Sequence, residues 1–191
     1  MKSTREVVIA IAMLAVAGAV PASAAVAVLG GGGLAKSCYR AAEFGEDVRS
    51  NLDTCNLALE HEALSTHDRA STLVNKGILQ ADLGQVVGAL SDYNAALSID
   101  QNLAEAYVDR GSVLIAMKRF DEALESLNTA LRMKPAREEI AYYNRALAEE
   151  ALGNIRAAYD DLKQATSIQP NFKEASEQLK RYKVVNTSDG I

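Results

Sequence analysis

The chain has 191 residues, of which 49% are hydrophobic and 24% are charged. This balance allows a packed core and argues against global disorder. Proteins gain affinity for double-stranded nucleic acids when their basic side chains release counterions from the phosphates. This chain has a formal net charge of −5, so we expect no nucleic-acid partner. Two Cys and two His leave little material for a metal site, and we expect no metal and no cofactor.

The first 24 residues have the pattern of an export signal. Lys2 and Arg5 precede an uncharged apolar run of 14 residues, Val7 to Val20, and Ala22-Ser23-Ala24 follows as a candidate cleavage site. The run is shorter than the roughly 20 apolar residues that a membrane-spanning helix needs. We therefore predict a cleaved signal peptide over residues 1–24, a periplasmic or secreted location, and no stable membrane insertion after cleavage. An uncleaved N-terminal anchor is the alternative.

Residues 25–36 are small and apolar and include four consecutive glycines, Gly30 to Gly33. Glycine loses more conformational freedom on ordering than any other residue, so we predict a flexible leader here. A phosphate-binding loop is a weak alternative, because the G-x-x-x-x-G-K-[ST] motif is absent and no predicted strand precedes the glycines.

Three segments of the chain, residues 70–103, 104–137 and 139–172, repeat one pattern at intervals of 34 and 35 residues. Each contains two stretches with helical spacing of apolar residues, separated by a turn position. Small residues stand at the eighth and twentieth positions, where they let two helices approach closely. These residues are Gly77, Gly111 and Ala146 at the eighth position, Ala89, Ala123 and Ala158 at the twentieth, and Gly84, Lys118 and Gly153 at the turn.

This pattern resembles the tetratricopeptide repeat family over residues 70–172. The resemblance implies an all-α solenoid of three helix-turn-helix repeats with a concave, ligand-binding face. Residues 37–69 resemble a degenerate N-terminal repeat, and residues 173–183 resemble the polar cap helix that a solenoid end requires. We expect residues 184–191 to form a disordered tail.

The resemblance also implies which side chains line the groove, because the first helix of each repeat contributes positions 5, 6 and 9. An Asn at position 6 can hold a peptide amide, since its side chain both donates and accepts hydrogen bonds. A basic residue at position 7 is expected to contact acidic groups of a ligand, to bridge neighbouring repeats or to be solvated. The predicted groove residues are Val74, Asn75, Ile78, Val108, Asp109, Ser112, Tyr143, Asn144 and Leu147, and the basic residues are Lys76, Arg110 and Arg145.

Three further expectations concern this groove. Tyr143 is predicted to be an exposed aromatic anchor, whereas Tyr107 and Tyr142 are predicted to pack. An inter-repeat hydrogen bond is the alternative role of Asn75 and Asn144. Apolar Val74 and Ile78 stand where the carboxylate clamp of some family members has Lys and Asn, so we expect no capture of a chaperone-tail carboxylate.

Cys38 and Cys55 are the only two cysteines of the chain. An even number of cysteines in an exported chain predicts a disulfide. A pair of buried free thiols is one alternative. A zinc site with His61 and His67 is another, although the spacing matches no common zinc motif.

The chain contains no G-x-S-x-G, no H-E-x-x-H and no dinucleotide-binding fingerprint, so we do not expect an enzyme. The sequence predicts a non-enzymatic protein-interaction module or scaffold that binds a peptide or a partner helix in its groove. The alternative is a self-associating structural component of a cell-envelope assembly that has no peptide ligand. A homo-oligomer is compatible with either function.

Overall fold

A computed structural model describes residues 7–11, 25–28, 33–45 and 47–186 of the chain. In these residues two strands, β1 (Val7–Ile11) and β2 (Tyr182–Asn186), pair antiparallel. None of the described helices is long and apolar enough to cross a membrane. The helices are α1 (Gly33–Phe44), α2 (Val48–His61), α3 (Thr66–Asp82), α4 (Val86–Ile99), α5 (Ala104–Ala116), α6 (Phe120–Met133), α7 (Glu138–Ala151), α8 (Ile155–Ile168) and α9 (Lys173–Leu179).

Helices α3 to α8 form three helix-turn-helix pairs at the predicted repeats, and consecutive pairs share one hydrophobic core. The small residues at the eighth position permit this packing. A Cβ atom on Gly77 would lie 2.5 Å from Cε1 of Tyr93, and one on Gly111 would lie 2.6 Å from Cγ of Leu127. The all-α solenoid predicted from the repeats is therefore confirmed for this part of the chain.

The turn inside each repeat has the same backbone geometry. Gly84, Lys118 and Gly153 all adopt left-handed conformations, with φ of 73°, 59° and 82°. The following amide then donates to the carbonyl five residues earlier, as in a Schellman motif. These bonds join Gln85 to Gln80, Arg119 to Leu114 and Asn154 to Glu149, each at 2.8 Å. The second repeat thus makes with lysine the turn that the other two make with glycine.

The N-terminal helices α1 and α2 are joined by the predicted disulfide, which is confirmed, with Cys38 and Cys55 bonded at 2.07 Å. Both cysteines lie in a buried cluster with Leu79 of α3. The disulfide therefore fixes α1 to α2, and the cluster around it packs against the first repeat. It also leaves neither thiol available to bind zinc.

The prediction of a flexible leader is wrong for residues 33–36, which are helical because α1 begins at Gly33. Glu62 accepts hydrogen bonds from the amides of Leu34 and Ala35, at 2.9 and 3.0 Å. A carboxylate at a helix N-terminus satisfies free amides and interacts favourably with the helix dipole. Glu62 lies 28 and 27 positions after Leu34 and Ala35 in the sequence. The glycine content of residues 25–36 therefore does not reveal the contact.

The cap helix is shorter than residues 173–183, because α9 ends at Leu179 and the chain then enters β2. Residues 184–186 are therefore in a strand rather than in a disordered tail. The physical reason is the buried Tyr182, whose hydroxyl donates to Glu150 of α7 at 2.7 Å, together with the pairing to β1. Strand β1 itself lies within the predicted signal peptide. The rest of that peptide and residues 187–191 lie outside the described residues.

Candidate binding groove

The inner face of the solenoid is formed by the first helices of the repeats, since α5 contacts both α3 and α7. Position 6 of these helices supplies Asn75, Asp109 and Asn144, which we call the position-6 series. All three are buried, with exposed fractions of 0%, 2% and 0%. Of the other predicted groove residues, Val74, Ile78, Val108 and Tyr143 are buried, and Ser112 and Leu147 are half-buried.

Asn75 holds the main chain of residues 25–28, which we call the 25–28 segment. The Val26 amide donates to Oδ1 of Asn75 at 3.0 Å, and Nδ2 of Asn75 donates to the Val26 carbonyl at 2.9 Å. A residue points its N–H and C=O to the same side when its backbone is extended, as in an antiparallel strand. Asn75 therefore binds an extended backbone that belongs to the same chain, and this contact uses both Oδ1 and Nδ2 of Asn75.

Apolar surroundings complete the contact with the 25–28 segment. Ala25 and Val26 pack against the core that contains Val74 and Ile78. Val28 is buried with residues of α1 and α2, whereas Ala27 is exposed. The segment thus combines a main-chain hydrogen-bond pair with small apolar side chains.

Asn144 lies at the same repeat position as Asn75 but makes no comparable contact. Within the part of the chain that the structure describes, neither Oδ1 nor Nδ2 of Asn144 has a hydrogen-bond partner. A buried amide without partners costs about 1–3 kcal/mol. Asn144 is therefore a buried polar group able to accept and to donate one hydrogen bond to a ligand.

Tyr143 is not the exposed aromatic anchor that the sequence predicts. It is 3% exposed, and its ring packs against Phe172 with centroids 5.1 Å apart. Burial, and then the nearby carboxylates of Glu174 and Glu150, raise the pKa of its hydroxyl. Phe172 is the last residue of the third repeat and immediately precedes α9, so the chain that leaves α8 covers this aromatic residue.

The basic residues at position 7 are held by polar partners inside the solenoid. Each contacts a side chain that lies 16 residues later, in the second helix of the same repeat. The guanidinium groups of Arg110 and Arg145 also lie over the half-buried rings of Tyr107 and Tyr142. The polar contacts are Lys76 with Asp92 at 3.2 Å, Arg110 with Ser126 at 3.0 Å and Arg145 with Asp161 at 2.7 Å.

Glu150 is a structural residue of this region that is not among the predicted groove residues. Its Oε2 accepts hydrogen bonds from Gln178 and from the Tyr182 hydroxyl, both at 2.7 Å, and Arg181 lies 3.2 Å from Oε1. Burial and then this hydrogen bond raise the pKa of Tyr182 well above its ordinary value. The only signal in the sequence is an acidic residue where the other two repeats have Ala81 and Ile115.

Metal-binding side chains do not assemble in the described ranges, where no three His, Cys, Asp or Glu residues are grouped as a metal site requires. The arrangement on the inner face instead consists of buried amides, one buried carboxylate and apolar side chains. This combination suits the binding of a polypeptide main chain.

Comparisons with known proteins agree with this geometry. Residues 80–150 match one family model and residues 140–172 match a second, and both are described as tetratricopeptide repeat. The structure is similar to the tetratricopeptide domain of Arabidopsis OM64, with 22% identity and a TM-score of 0.59 over 61% of this chain and 96% of that one.

Two further similar structures cover comparable shares of the chain. One is the first tetratricopeptide domain of Spaghetti (RPAP3), bound to an HSP90 peptide, with 25% identity and a TM-score of 0.56 over 58% of this chain and 87% of that one. The other is MamA from Desulfovibrio magneticus RS-1, with 22% identity and a TM-score of 0.64 over 78% and 82% of the two chains. Residues 80–172 therefore match tetratricopeptide repeat models, and helices α3 to α8 have the fold of a tetratricopeptide solenoid.

Proposed function

We propose that the chain is a non-enzymatic protein-interaction module whose inner groove binds an extended segment of another polypeptide. The observation that carries this proposal is the pair of hydrogen bonds between Asn75 and the main chain of Val26. Main-chain contacts do not depend on the ligand's side chains, so the position-6 series would recognise extended backbone, and its apolar neighbours would select the side chains. The peptide bound to the similar domain of Spaghetti (RPAP3) is consistent with this use of the fold.

The chemistry of the groove favours an apolar ligand over an acidic one. Val74 and Ile78 are apolar and buried. The basic side chains of Lys76 and Arg145 are engaged by Asp92 and Asp161. An acidic peptide would therefore have to break existing ion pairs in order to gain new ones, whereas an apolar peptide would not.

Selection from a random peptide library displayed on phage, with the full chain as bait, tests this function. We expect enriched peptides to be rich in small and β-branched apolar residues and to lose binding to the Asn75→Ala/Asn144→Ala double variant. Asn154→Ala is the matched control, because Asn154 is exposed and its side chain bonds only Glu149 among the described residues. If the double variant folds, as judged by circular dichroism, and retains its peptides, the groove does not bind them.

We also propose that the chain is exported and that a signal peptide over residues 1–24 is removed. The support is the basic start, the 14-residue apolar run and the Ala22-Ser23-Ala24 sequence. The intact mass of the chain recovered from the periplasm or from the culture medium tests this. We expect the mass of a chain that begins at Ala25, and the mass of the uncleaved chain would contradict the proposal.

A further inference from the structure

We propose that the 25–28 segment is an intramolecular ligand of the groove, and that a partner binds by displacing it. The partner is an extended polypeptide with small apolar side chains, like the segment that it replaces. This inference rests on the proposed function in one respect, since displacement requires that the groove binds a peptide. It adds that the groove is occupied by the chain itself before a partner arrives.

The contacts of the segment define what a competitor must supply. The N–H and C=O groups of Val26 satisfy both hydrogen-bonding groups of Asn75. The side chains of Ala25 and Val26 are half-buried against the core of the solenoid. A partner must therefore offer one residue with an extended backbone and a free N–H opposite Asn75, and side chains no larger than valine beside it.

The segment holds the groove weakly enough to be replaced. Its polar contact consists of two hydrogen bonds between neutral groups, and such bonds contribute modestly because water competes for the same groups. Three of its four residues are buried or half-buried, and all four side chains are alanine or valine. The segment is therefore a competitor of moderate strength rather than a permanent part of the core.

A longer partner has an advantage over the segment at Asn144. This side chain is 0% exposed and has no hydrogen-bond partner among the described residues, so the present occupant leaves it unsatisfied. Packed helices lie about 8–10 Å apart, so the path from α3 across α5 to α7 takes about six extended residues. A partner of that length that displaces the residues covering Asn144 as well as the 25–28 segment would bond both Asn75 and Asn144.

The first experiment measures how a probe peptide competes with the segment in the full chain. The probe is a fluorescent peptide with the sequence of residues 22–31, and binding is followed by anisotropy. Val26→Pro removes the amide that donates to Asn75, so we expect this variant to bind the probe about tenfold more tightly than the wild-type chain. Adding Asn75→Ala to Val26→Pro should abolish this gain. Equal affinity of Val26→Pro and wild type, or no binding by either, would overturn the proposal.

Ala27→Pro is the matched control for this experiment. Ala27 is the exposed residue of the segment, and the two hydrogen bonds between Asn75 and the segment do not involve the Ala27 amide. A proline there changes the chain next to Val26 but keeps the Val26 amide. We expect the affinity of Ala27→Pro for the probe to stay within twofold of wild type, and a gain equal to that of Val26→Pro would contradict the role of the Asn75 contact.

The second experiment measures occupancy without any added peptide. Hydrogen exchange of the Val26 amide should be slow in the wild-type chain and fast in Asn75→Ala, while Asn154→Ala should behave as wild type. Protection should not depend on protein concentration, because the segment belongs to the same molecule. Protection that increases with concentration would mean that a second copy supplies the segment, and this result would overturn an intramolecular ligand.

Together the two experiments separate this proposal from the proposed function. If library peptides bind the groove but the Val26 amide is unprotected, the groove binds peptides and the intramolecular ligand does not exist. If the Val26 amide is protected but neither the probe nor any library peptide binds Val26→Pro, the segment is a structural element and both proposals fail.

Discussion

Asn75 and Asn144 occupy the same position in their repeats and are equally buried, but they differ in their hydrogen bonds. Asn75 bonds both polar groups of Val26, whereas Asn144 bonds none of the described residues. The same residue type therefore contributes to stability at one position and costs free energy at the other. This difference supports the proposal that Asn144 binds the main chain of a partner.

Replacing Asn144 by leucine should stabilise the free protein. Asn144→Leu removes a buried polar group without partners and keeps a similar volume, so we expect the free energy of unfolding to rise by about 1 kcal/mol in urea denaturation. The matched change Asn75→Leu should lower it by about 1–2 kcal/mol, because it breaks two hydrogen bonds. A loss of stability in Asn144→Leu would mean that its amide is satisfied in the folded protein.

Lys118 is strained at the turn of the second repeat, where its φ is 59° and the equivalent residues are glycines. Lys118→Gly removes the steric conflict between Cβ and the backbone, and we expect it to raise the free energy of unfolding by about 1 kcal/mol. Thermal unfolding checks this. Lys118→Ala keeps the Cβ atom and should give no such gain, and equal gains in both variants would locate the strain in the lysine side chain instead.

At the scale of helices, each repeat is tied together by a polar contact between its first and second helix. The contact of the third repeat is the most extensive, since Arg145 donates two hydrogen bonds of 2.7 Å to Asp161 and a third of 2.7 Å to Asn128 of α6. The hydrogen bonds to Asp161 raise the pKa of Arg145. Arg145 thus joins α7 both to its own partner helix and to the preceding repeat.

Arg145→Ala should therefore be strongly destabilising. Asp161 has a side chain that is 9% exposed, and it would keep its charge without its partner, so we expect a loss of about 3 kcal/mol in the free energy of unfolding. Arg156→Ala is the control, because Arg156 and Asp160 form an ion pair on the surface, with side chains 63% and 52% exposed, and should cost less than about 0.5 kcal/mol. Similar losses in the two variants would show that burial of the Arg145–Asp161 pair does not increase its contribution to stability.

In the solenoid each helix pair contacts mainly its neighbours, so the loss of a contact in one pair should destabilise mainly that pair. The disulfide closes a loop between residues 17 positions apart, and it holds α1 and α2 together at one end. Its removal should therefore affect the N-terminal pair before the third repeat.

Cys38→Ala/Cys55→Ala tests this expectation. The loop-entropy model gives a loss of about 3 kcal/mol for a loop of this size. We expect faster hydrogen exchange in α1 and α2 and nearly unchanged exchange in α7 and α8. A uniform increase across all described helices would show that the solenoid unfolds as a single cooperative unit.

The repeats could be predicted from the sequence because their determinants lie close together in the chain. Gly77, Gly111 and the turn residues recur at a fixed period, and each acts on its own helix pair. The ends of the fold depend instead on distant pairs, such as Glu62 with Leu34 and Glu150 with Tyr182. Such pairs leave no periodic signal, and for this reason α1 begins earlier and α9 ends earlier than predicted.

The residues of the candidate groove could be predicted from the sequence, but the contacts that cover them could not. The repeat register identifies Asn75, Asp109 and Asn144 as one series on the first helices. It does not reveal that the 25–28 segment bonds Asn75 or that Phe172 covers Tyr143. The 25–28 segment precedes the repeats, and Phe172 is the last residue of the third repeat, so neither contact follows from the small residues and turns that recur at a fixed period.

In a chain that keeps residues 1–24, the pairing of β1 with β2 also determines how the protein responds to a pulling force. Val7 faces Asn186 and Ile11 faces Tyr182, so the N-terminal end of β1 and the C-terminal end of β2 lie at the same end of the ladder. Tension between the two termini would open this ladder one residue pair at a time, as a zipper opens, and would not load all its hydrogen bonds together. A molecule held at both ends would thus lengthen first at low force, before any helix of the solenoid begins to unwind.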